Sequence, residues 1–309
     1  MKPGAAIRNG TGWDAASYFD WPFPNRWPYN RRYLLASRLV MGMVGSVSKL
    51  WMQGLNRVKM VNREKFLQHM HFSRTRGVIS ACNHHSCLDE TLIWCVCPWR
   101  QFLWDQLSVR WTPGASEIMF RSLDHYSQEV FRRGDPFRSE SGVYQGSFVN
   151  TVSALGRAVP IFRGEGVYQK GVDFCIERLS GPSPHPPGWV HMFPEGWVNF
   201  NKDKMRLKWG IGRMVADAKP TPLVLPFWHW GMDDVLPNTF ADGRRQTWIP
   251  RIGKKVTFLF GEPMDFSQLL SELRKDGASP REERKEITDK IQHQLHQLAD
   301  KAWQIHKSR

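Results

Sequence analysis

Between Arg57 and Gly261, short apolar runs of strand length alternate with stretches whose apolar residues recur at helical spacing. Strands that alternate with helices form a largely parallel sheet covered by helices, because each parallel neighbour is reached through a crossover connection. We therefore predict an α/β fold. The predicted strands are Val78–Ala81, Ala158–Phe162, Trp189–Phe193, Leu223–Trp228 and Val256–Phe260, and the predicted helices between them are Leu88–Cys97, Gln169–Leu179 and Leu207–Ala218.

The chain divides into three predicted segments. Residues 1–56 form an N-terminal segment with an amphipathic helix, residues 57–265 form the α/β domain, and residues 266–309 form a C-terminal helical segment. Pro280 is predicted to begin the last helix, because proline is favoured in a first helical turn. A polar, aperiodic stretch, Ser127–Asn150, is predicted to be a surface insertion. The apolar stripe of the last helix is predicted to pack on the domain and consists of Ile287, Ile291, Leu295, Leu298, Ala302 and Ile305.

The N-terminal helix is predicted over Leu34–Leu55. Ten residues separate Arg38 from Lys49, whereas a helix needs about 20 apolar residues to cross a bilayer. We therefore predict that it lies in the membrane interface, held by basic residues at its ends. A helix packed on the domain is the alternative, because both arrangements produce amphipathicity. The apolar residues recur at spacings of three and four and are Leu35, Leu39, Met43, Val47, Leu50 and Trp51.

The formal net charge of +14 predicts a polyanionic partner. Between Arg26 and Lys65, nine basic residues accompany one acidic residue, Glu64, and this stretch surrounds the apolar run of the N-terminal helix. A nucleic-acid reader more usually shows a basic motif with base-stacking aromatic residues, and none is visible in the sequence. We therefore predict that the partner is an anionic membrane surface and that nucleic acid is not bound.

The cysteine content does not fit a secreted disulfide framework, because the number is odd and most of the cysteines are crowded together. We predict that all five are reduced; they are Cys82, Cys87, Cys95, Cys97 and Cys175. A zinc site is the alternative, but the second cysteine pair does not have the spacing of a standard zinc finger. Its ligands would be Cys82, His84, His85 and Cys87. We predict no metal and no cofactor.

The segment from Val78 to Glu90 is predicted to be a strand, a turn and the start of a helix. Ser86 is predicted as the N-cap residue, with Asp89 three residues later. Two residues five apart on one continuous helix point roughly 140° apart, so His84 meets Asp89 only from the turn before the helix. A carboxylate on one imidazole nitrogen leaves the other free to accept a proton from an alcohol. We therefore predict that His84 is a general base and Asp89 its partner.

The nucleophile is predicted to be a hydroxyl of the substrate, because the sequence contains no Gly-x-Ser-x-Gly motif of a serine nucleophile. His85 is a rival base, but only His84 has four residues between it and Asp89. An H-x₄-D spacing often arises by chance, so this assignment depends on the motifs that accompany it.

Three further motifs accompany this pair, and two of them follow predicted strands, where α/β proteins build their sites. Arg163 comes just after a strand and is predicted to bind a phosphate. Glu195 and Gly196 end a Phe-Pro-Glu-Gly motif, and Pro226 interrupts an apolar strand. Taken singly, Arg163 is equally explained by a surface ion pair and Glu195 by a turn cap. The occurrence of all four motifs in this order is hard to explain by chance.

The H-x₄-D motif, the Gly-x-x-x-Pro-x-x-Arg segment, the Phe-Pro-Glu-Gly motif and the apolar block around Pro226 resemble the four motifs of the glycerolipid acyltransferase superfamily. The resemblance implies that residues 57–265 are an acyltransferase domain with His84 and Asp89 as the catalytic pair. It also implies that the head-group site is lined by Arg163, Glu195 and Gly196.

Longer stretches, such as Gly166-Val-Tyr-Gln-Lys-Gly and Gly231-Met-Asp-Asp-Val-Leu-Pro-Asn, resemble one subgroup of that superfamily. Its members are phospholipid–lysophospholipid transacylases that remodel cardiolipin without acyl-CoA. The resemblance implies that the substrates are cardiolipin, monolysocardiolipin and phosphatidylcholine. It implies attachment to one leaflet of the mitochondrial membranes that face the intermembrane space.

Members of this subgroup attach to the membrane through an internal segment, which here matches Arg213–Trp230. The resemblance therefore adds Leu223, Phe227 and Trp228 to the membrane-association residues predicted in the N-terminal helix. Leu223–Trp228 is equally well explained as a core strand, so both segments remain candidates.

Three rivals to the transacylase prediction stay open at this point. The nearest is a lysophospholipid acyltransferase that depends on acyl-CoA. Another is a catalytically silent protein that binds anionic lipid, and a nucleic-acid binder is the most distant. If the chain is an enzyme, the transition-state oxyanion is predicted to bind backbone N–H groups near the helix start or in the Phe193–Gly196 turn.

Overall fold

The computed structural model describes residues 31–72, 75–103, 109–119, 148–181, 186–237 and 249–309. Most of the predicted surface insertion, Ser127–Asn150, lies outside these residues. Its last three residues begin a helix, α6 (Phe148–Leu155).

The described residues form seven strands. Five of them correspond to the predicted strands and have closely similar bounds. The strands are β1 (Arg57–Val61), β2 (Val78–Ala81), β3 (Thr112–Ala115), β4 (Ala158–Ile161), β5 (Trp189–Met192), β6 (Leu223–Trp230) and β7 (Lys255–Phe260). The strands that the sequence missed are β1 and β3.

The helices lie between and around these strands. They are α1 (Arg31–Lys49), α2 (Arg63–Phe72), α3 (Asp89–Leu92), α4 (Trp99–Leu103), α5 (Ser116–Met119), α6, α7 (Lys170–Ser180), α8 (Gly210–Asp217), α9 (Met232–Val235), α10 (Ser267–Lys275) and α11 (Pro280–Lys307). A π-helical turn, Leu50–Gly54, follows α1, and a 3₁₀ turn, Ile93–Val96, follows α3. The predicted helices Leu34–Leu55 and Leu88–Cys97 therefore each change helix type part of the way along.

The sheet runs in the order β1-β7-β6-β2-β5. Every neighbouring pair in it is parallel except β6 and β7, which are antiparallel. Strands β3 and β4 form a second parallel pair, which a parallel bridge between Trp111 and Val190 joins to β5. The predicted α/β fold with a largely parallel sheet is confirmed.

Both faces of the sheet are covered, as the near-continuous apolar character of its strands requires. In β2, Ile79 and Ala81 belong to one buried cluster, whereas Val78 belongs to the other. The first cluster also contains Ile287 and Ile291, so the predicted packing of the C-terminal helix on the domain is confirmed. Tyr33 of α1 belongs to this cluster as well, so α1 and α11 both share the core of the domain. The division of the chain into three segments stays a prediction.

Helix α1 packs on the domain through the face that carries Tyr33, Met41 and several polar and small residues rather than through its apolar stripe. Ser37 donates a hydrogen bond to the carbonyl of Leu155 at 2.8 Å, and Ser48 donates one to Leu92 at 2.7 Å. A side chain at Gly45 would overlap the ring of Phe102, so glycine permits this close approach. One face of the helix therefore packs on the domain, as the alternative required, and the interface location of its other face stays a prediction.

The apolar stripe of α1 faces outward and consists of Leu35, Leu39, Met43, Val47 and Leu50. Leu39 is 67% exposed and Leu50 is 66% exposed, although both are large apolar residues. Among the described residues, none of the helices combines the length and hydropathy of a membrane span. Trp51, predicted to belong to the stripe, is half-buried, and its indole donates to the carbonyl of Arg251 at 3.3 Å. Lys49, predicted to anchor the helix, is buried and donates to the carbonyl of Cys95 at 3.1 Å.

The internal segment predicted to attach to the membrane, Arg213–Trp230, begins in α8 and ends as a strand inside the sheet. Leu223, Phe227 and Trp228 all belong to β6, which has β2 on one side and β7 on the other. Phe227 and Trp228 are buried. A strand paired on both sides and covered on both faces has no surface to offer a bilayer, so membrane association is a wrong prediction for these three residues.

Candidate active site

The candidate site lies at the edge of the sheet where β2, β5 and β6 end. His84 lies three residues after β2, and Glu195 lies three residues after β5. His229 is the second-last residue of β6. Because these strands are mutually parallel, their carboxyl ends bring the three side chains to one place.

The predicted pair is formed in the structure. Nδ1 of His84 lies 3.0 Å from Oδ2 of Asp89, and the contact crosses the turn that precedes α3. Helix α3 begins at Asp89 rather than after Ser86, whose hydroxyl donates to the carbonyl of Leu236 at 2.9 Å. The hydroxyl of Ser86 also accepts the N–H of Leu88 at 3.4 Å, but the residue that precedes α3 is Leu88. The prediction of Ser86 as the helix N-cap is therefore wrong by two residues.

The carboxylate of Asp89 is fully buried. Its Oδ2 accepts the backbone N–H groups of His85 and Ser86 at 2.7 and 2.8 Å. Burial raises the pKa of Asp89, but the two imidazoles of His229 and His84 and the backbone donor outweigh it, so this pKa lies below its ordinary value. Asp89 is therefore ionised at neutral pH and favours a proton on Nδ1 of His84, which leaves Nε2 to accept one.

The ring of His84 is held from several sides while 17% of its side chain stays exposed. It stacks on the ring of Phe193, with the centroids 4.1 Å apart. The backbone N–H of His84 donates to Oε2 of Glu195 at 3.2 Å, and its carbonyl accepts from the N–H of Asn199 at 2.6 Å. The turn that carries the base is thus bound to the segment after β5, and an exposed part of the imidazole remains for a substrate.

Glu195 is a buried carboxyl group that supports the turn of His84. Besides accepting from His84, it accepts from the amide of Asn199 at 3.4 Å. Burial raises the pKa of Glu195 to about 7, and these donors oppose the rise only in part. Glu195 therefore changes its protonation state near neutral pH.

Two residues that the sequence did not single out connect β2 with β6. The side-chain amide of Asn83 donates to the carbonyl of His229 at 3.0 Å and its oxygen accepts the N–H of His229 at 2.9 Å. Nε2 of His229 lies 3.1 Å from the carbonyl of Asn83 and 3.5 Å from Oδ2 of Asp89. Since a carbonyl only accepts, Nε2 of His229 carries a proton. Burial lowers the pKa of His229, which favours its neutral form.

Gly196 permits the Phe-Pro-Glu-Gly turn to close. Its φ of +83° is readily adopted only by glycine, and a side chain there would meet the stem of Lys208. The amino group of Lys208 lies over the ring of Trp197, 4.3 Å from its centroid. Arg163 is exposed just after β4. It lies at the same end of the strands as His84, but β5 and β3 lie between β4 and the strand that leads to His84. Its predicted role in head-group binding stays a prediction, as does that of Gly196.

His85 is a poor candidate for the base. Its ring is buried and packs near the rings of Trp228 and Trp230, and only its backbone reaches Asp89. Burial, together with His229, lowers the pKa of His85 to about 3. In the described ranges, no group of three or more His, Cys, Asp or Glu side chains is arranged to hold a metal ion. The ring of His84 contacts Asp89, and the thiol of Cys82 instead lies 3.8 Å from Nε2 of His191.

Several backbone donors predicted for the oxyanion already have partners. The N–H groups of His85 and Ser86 bind Asp89, and the N–H of Gly196 donates to the carbonyl of Phe193 at 3.0 Å.

The sequence missed Asn83, Phe193 and Asn199 as parts of the site, together with His229. Phe193 and His229 lie at strand ends, the feature that identified Arg163 and Glu195. If this criterion had been applied to every polar or aromatic residue at a strand end, it would have identified both Phe193 and His229. Asn83 and Asn199 act through backbone contacts, for which the sequence holds no comparable signal.

Comparison with known proteins places the site in a wider group. Residues 57–230 match the acyltransferase family. A tafazzin from Drosophila melanogaster is 32% identical over 94% of this chain and 68% of its own length. A protein named taffazin from Dictyostelium discoideum is 30% identical, with 76% of this chain and 72% of that protein covered. An N-acylphosphatidylethanolamine synthase from Arabidopsis thaliana is 33% identical over 63% of this chain and 58% of its own length.

Proposed function

Because this chain belongs to the tafazzin family of acyltransferases, we propose that it moves a fatty acyl group from a phospholipid to the hydroxyl of a lysophospholipid without coenzyme A. Activity as a lipid acyltransferase follows from the family. The observation that carries the proposed mechanism is the 3.0 Å contact between His84 and the buried, ionised carboxylate of Asp89.

The proposed reaction needs one base and no covalent enzyme intermediate. Nε2 of His84 takes the proton of the lysolipid hydroxyl while that oxygen attacks the ester carbonyl carbon of the donor lipid. Asp89 stays ionised and stabilises the imidazolium. The tetrahedral intermediate then expels the glycerol oxygen of the donor, which takes the proton from His84 and leaves as a new lysolipid. The ester consumed equals the ester formed, so no thioester is required.

The proposed substrates are cardiolipin, monolysocardiolipin and phosphatidylcholine. The net charge of +14 supports an anionic lipid, since a polyanionic surface attracts such a chain. Arg163, Glu195 and Gly196 are proposed to line the head-group site, because they lie at the sheet edge that carries His84. The proposed location is the mitochondrial membranes facing the intermembrane space, on one leaflet.

The apolar stripe of α1 is proposed to contact the membrane. Its five side chains point away from the domain, and the other side of the helix is fixed by the hydrogen bonds of Ser37 and Ser48. A helix that lies in the interface buries one apolar face among the lipid head groups and acyl chains. Such attachment would be peripheral or monotopic.

The test is a transacylation assay with purified protein and vesicles that contain monolysocardiolipin and acyl-labelled phosphatidylcholine. We expect label to appear in cardiolipin without acyl-CoA, and a chelator to leave the rate unchanged. His84→Ala is expected to lower the rate by about 10²- to 10⁴-fold. Transfer that occurs only after acyl-CoA is added would contradict the proposal and support the acyl-CoA-dependent rival.

Two further outcomes distinguish other functions. If folded His84→Ala transfers acyl groups as fast as the wild-type protein, the pair is not catalytic. If no acceptor is acylated but vesicles are bound, the chain is a silent lipid-binding protein. Phosphatidylethanolamine is included as an amine acceptor because the Arabidopsis relative is named for an N-acyl product. Label on its nitrogen alone would contradict the proposed hydroxyl acceptor.

A further inference from the structure

A second exposed apolar segment lies beside the C-terminal end of α1. We call residues 249–255 the basic loop; it reads Ile249-Pro-Arg251-Ile252-Gly-Lys-Lys. Ile249 is 71% exposed and Ile252 is 60% exposed. Two isoleucines exposed to this degree within four residues are costly in water unless something covers them.

The exposure of these side chains does not come from a loosely attached backbone. The N–H of Arg251 donates to the carbonyl of Val235 at 2.6 Å, and that of Gly253 donates to Leu55 at 2.8 Å. The N–H of Lys254 donates to the side-chain oxygen of Asn56 at 2.8 Å. The basic loop is therefore fixed between α9 and the turn after α1, while its isoleucines project outward.

The basic loop and the stripe of α1 form neighbouring parts of one surface. The indole of Trp51, one residue after the last member of the stripe, donates to the carbonyl of Arg251. Leu55, which is also exposed, accepts from Gly253 in the basic loop. The apolar surface thus continues from Leu50 across the turn to Ile252.

Sheet topology brings this surface to the end of the sheet that carries His84. Strand β7 is antiparallel to β6, so β7 begins where β6 ends, and Thr257 pairs with Trp230. Strand β1 is parallel to β7 and begins at the same edge. The basic loop precedes β7 and the turn after α1 precedes β1. Both therefore lie at the edge that carries His84.

The charge of this surface selects its partner. Residues 31–63 and 249–261 contain no Asp or Glu, and the basic loop carries Arg251, Lys254 and Lys255. Apolar side chains between basic ones suit an anionic bilayer, where the apolar groups enter the acyl region and the cations meet phosphates. We infer that the basic loop and the C-terminal end of α1 together bind an anionic membrane, with the exposed part of the His84 ring turned toward the lipid. This inference rests on the proposed lipid substrate.

The first test is sedimentation with phosphatidylcholine vesicles that contain or lack cardiolipin. Ile249→Ser/Ile252→Ser is expected to weaken binding to cardiolipin vesicles by about tenfold or more, because two inserted side chains are lost. Arg251→Glu is expected to weaken it by about fivefold or more, and added salt should reduce this difference. The matched control is Lys301→Glu, a charge reversal at an exposed position on α11. It is expected to bind like the wild-type protein.

The second test places a fluorophore at the surface itself. Cys87 is the exposed cysteine and the other four are buried, so a Cys87→Ser/Ile252→Cys variant can be labelled at one position. An environment-sensitive dye there is expected to shift to the blue on vesicle binding and to be quenched by spin-labelled lipid. A dye that stays in water while the protein binds vesicles would overturn the inference.

The outcomes separate this inference from the proposed function. His84→Ala is expected to bind vesicles normally, so loss of transacylation with normal binding concerns the chemistry alone. Equal loss of binding in Lys301→Glu and in Arg251→Glu would overturn the assignment of this surface. A changed oligomeric state of the double isoleucine variant with unchanged vesicle binding would also overturn the inference, because it would show that a second copy of the chain covers these residues.

Discussion

Nε2 of His229 lies 3.5 Å from Oδ2 of Asp89, the same oxygen that Nδ1 of His84 approaches to 3.0 Å. One buried carboxylate therefore lies between two imidazoles. His229 is fully buried and protonated on Nε2, as its contact with the carbonyl of Asn83 requires. Its Nε2–H bonds to Asn83 and lies close enough to Asp89 for the polarity of that group to stabilise the ionised carboxylate, without reaching the exposed part of the site.

His229→Phe is therefore expected to lower kcat by about ten- to a hundredfold, because Asp89 loses a polar neighbour and Asn83 loses a donor while the ring volume is kept. The pKa of Asp89 should rise, which the pH dependence of the carboxyl-carbon chemical shift measures. His229→Gln keeps an N–H group and is expected to recover part of both effects. A lower kcat with an unchanged pKa of Asp89 would show that His229 is only structural.

Asp89→Asn tests the charge of the partner. The amide oxygen can take the place of Oδ2, which contacts Nδ1 of His84 and accepts from His85 and Ser86. The amide carries no negative charge, however, so it stabilises the imidazolium formed during the reaction much less than a carboxylate does. We expect kcat to fall by about 10²- to 10⁴-fold with vesicle binding unchanged. Asp300→Asn, the same change on exposed α11, is the control, and equal rates for the two variants would remove Asp89 from the mechanism.

Glu195 is predicted to make stability fall between about pH 4.5 and pH 7. Its pKa rises from the ordinary 4.5 to about 7 in the folded protein, mainly through burial. In that window the folded state holds a proton that the unfolded state releases, so stability decreases as pH increases, by roughly 3 kcal/mol. Glu195→Gln lacks this group.

Urea unfolding of both proteins across this range checks the prediction, and parallel curves would contradict it. Glu195→Gln keeps an oxygen acceptor for the N–H of His84, so its activity is expected to stay within about tenfold of wild type. Glu195→Ala leaves that N–H unpaired and is expected to lose about 1–3 kcal/mol of stability.

The sequence predicted the strands that are buried on both faces, because their apolar runs are nearly unbroken. It missed β1, where Arg57 and Lys59 alternate with apolar residues at the sheet edge, and β3, which contains Pro113 and Gly114. Such strands depend on partners distant in the chain rather than on their own composition.

The same reason explains why the sequence predicted some residues of the site and missed others. His84, Asp89 and Glu195 belong to short motifs with recognisable spacing. The contact of Asn83 with His229 spans 146 positions and exists only because β2 pairs with β6. Periodicity identified the stripe of α1, but which side of the helix meets the domain depends on close approaches such as that of Gly45 to Phe102. No local pattern records these.

The last prediction concerns the ion pair next to the catalytic helix. Glu90 follows Asp89 in α3, and its carboxylate pairs with the guanidinium of Arg110. Arg110 is buried, donates to the carbonyl of Gly156 at 3.1 Å and lies over the ring of Trp94. It therefore connects α3 to the segment before β4. Burial raises the pKa of Glu90, and Arg110 opposes that rise.

Arg110→Met should leave a buried carboxylate without its cation, at a cost of about 3–5 kcal/mol near pH 8. Without Arg110 the pKa of Glu90 rises further, so Glu90 takes up a proton as the pH falls and the deficit should shrink toward pH 5. Adding Glu90→Gln should restore most of the stability at pH 8, because it removes the buried charge. Urea unfolding of the single and double variants at both pH values measures this coupling. A deficit that is equal at pH 5 and pH 8, or one that the second substitution leaves unchanged, would show that Arg110 acts through packing on Trp94 rather than through Glu90.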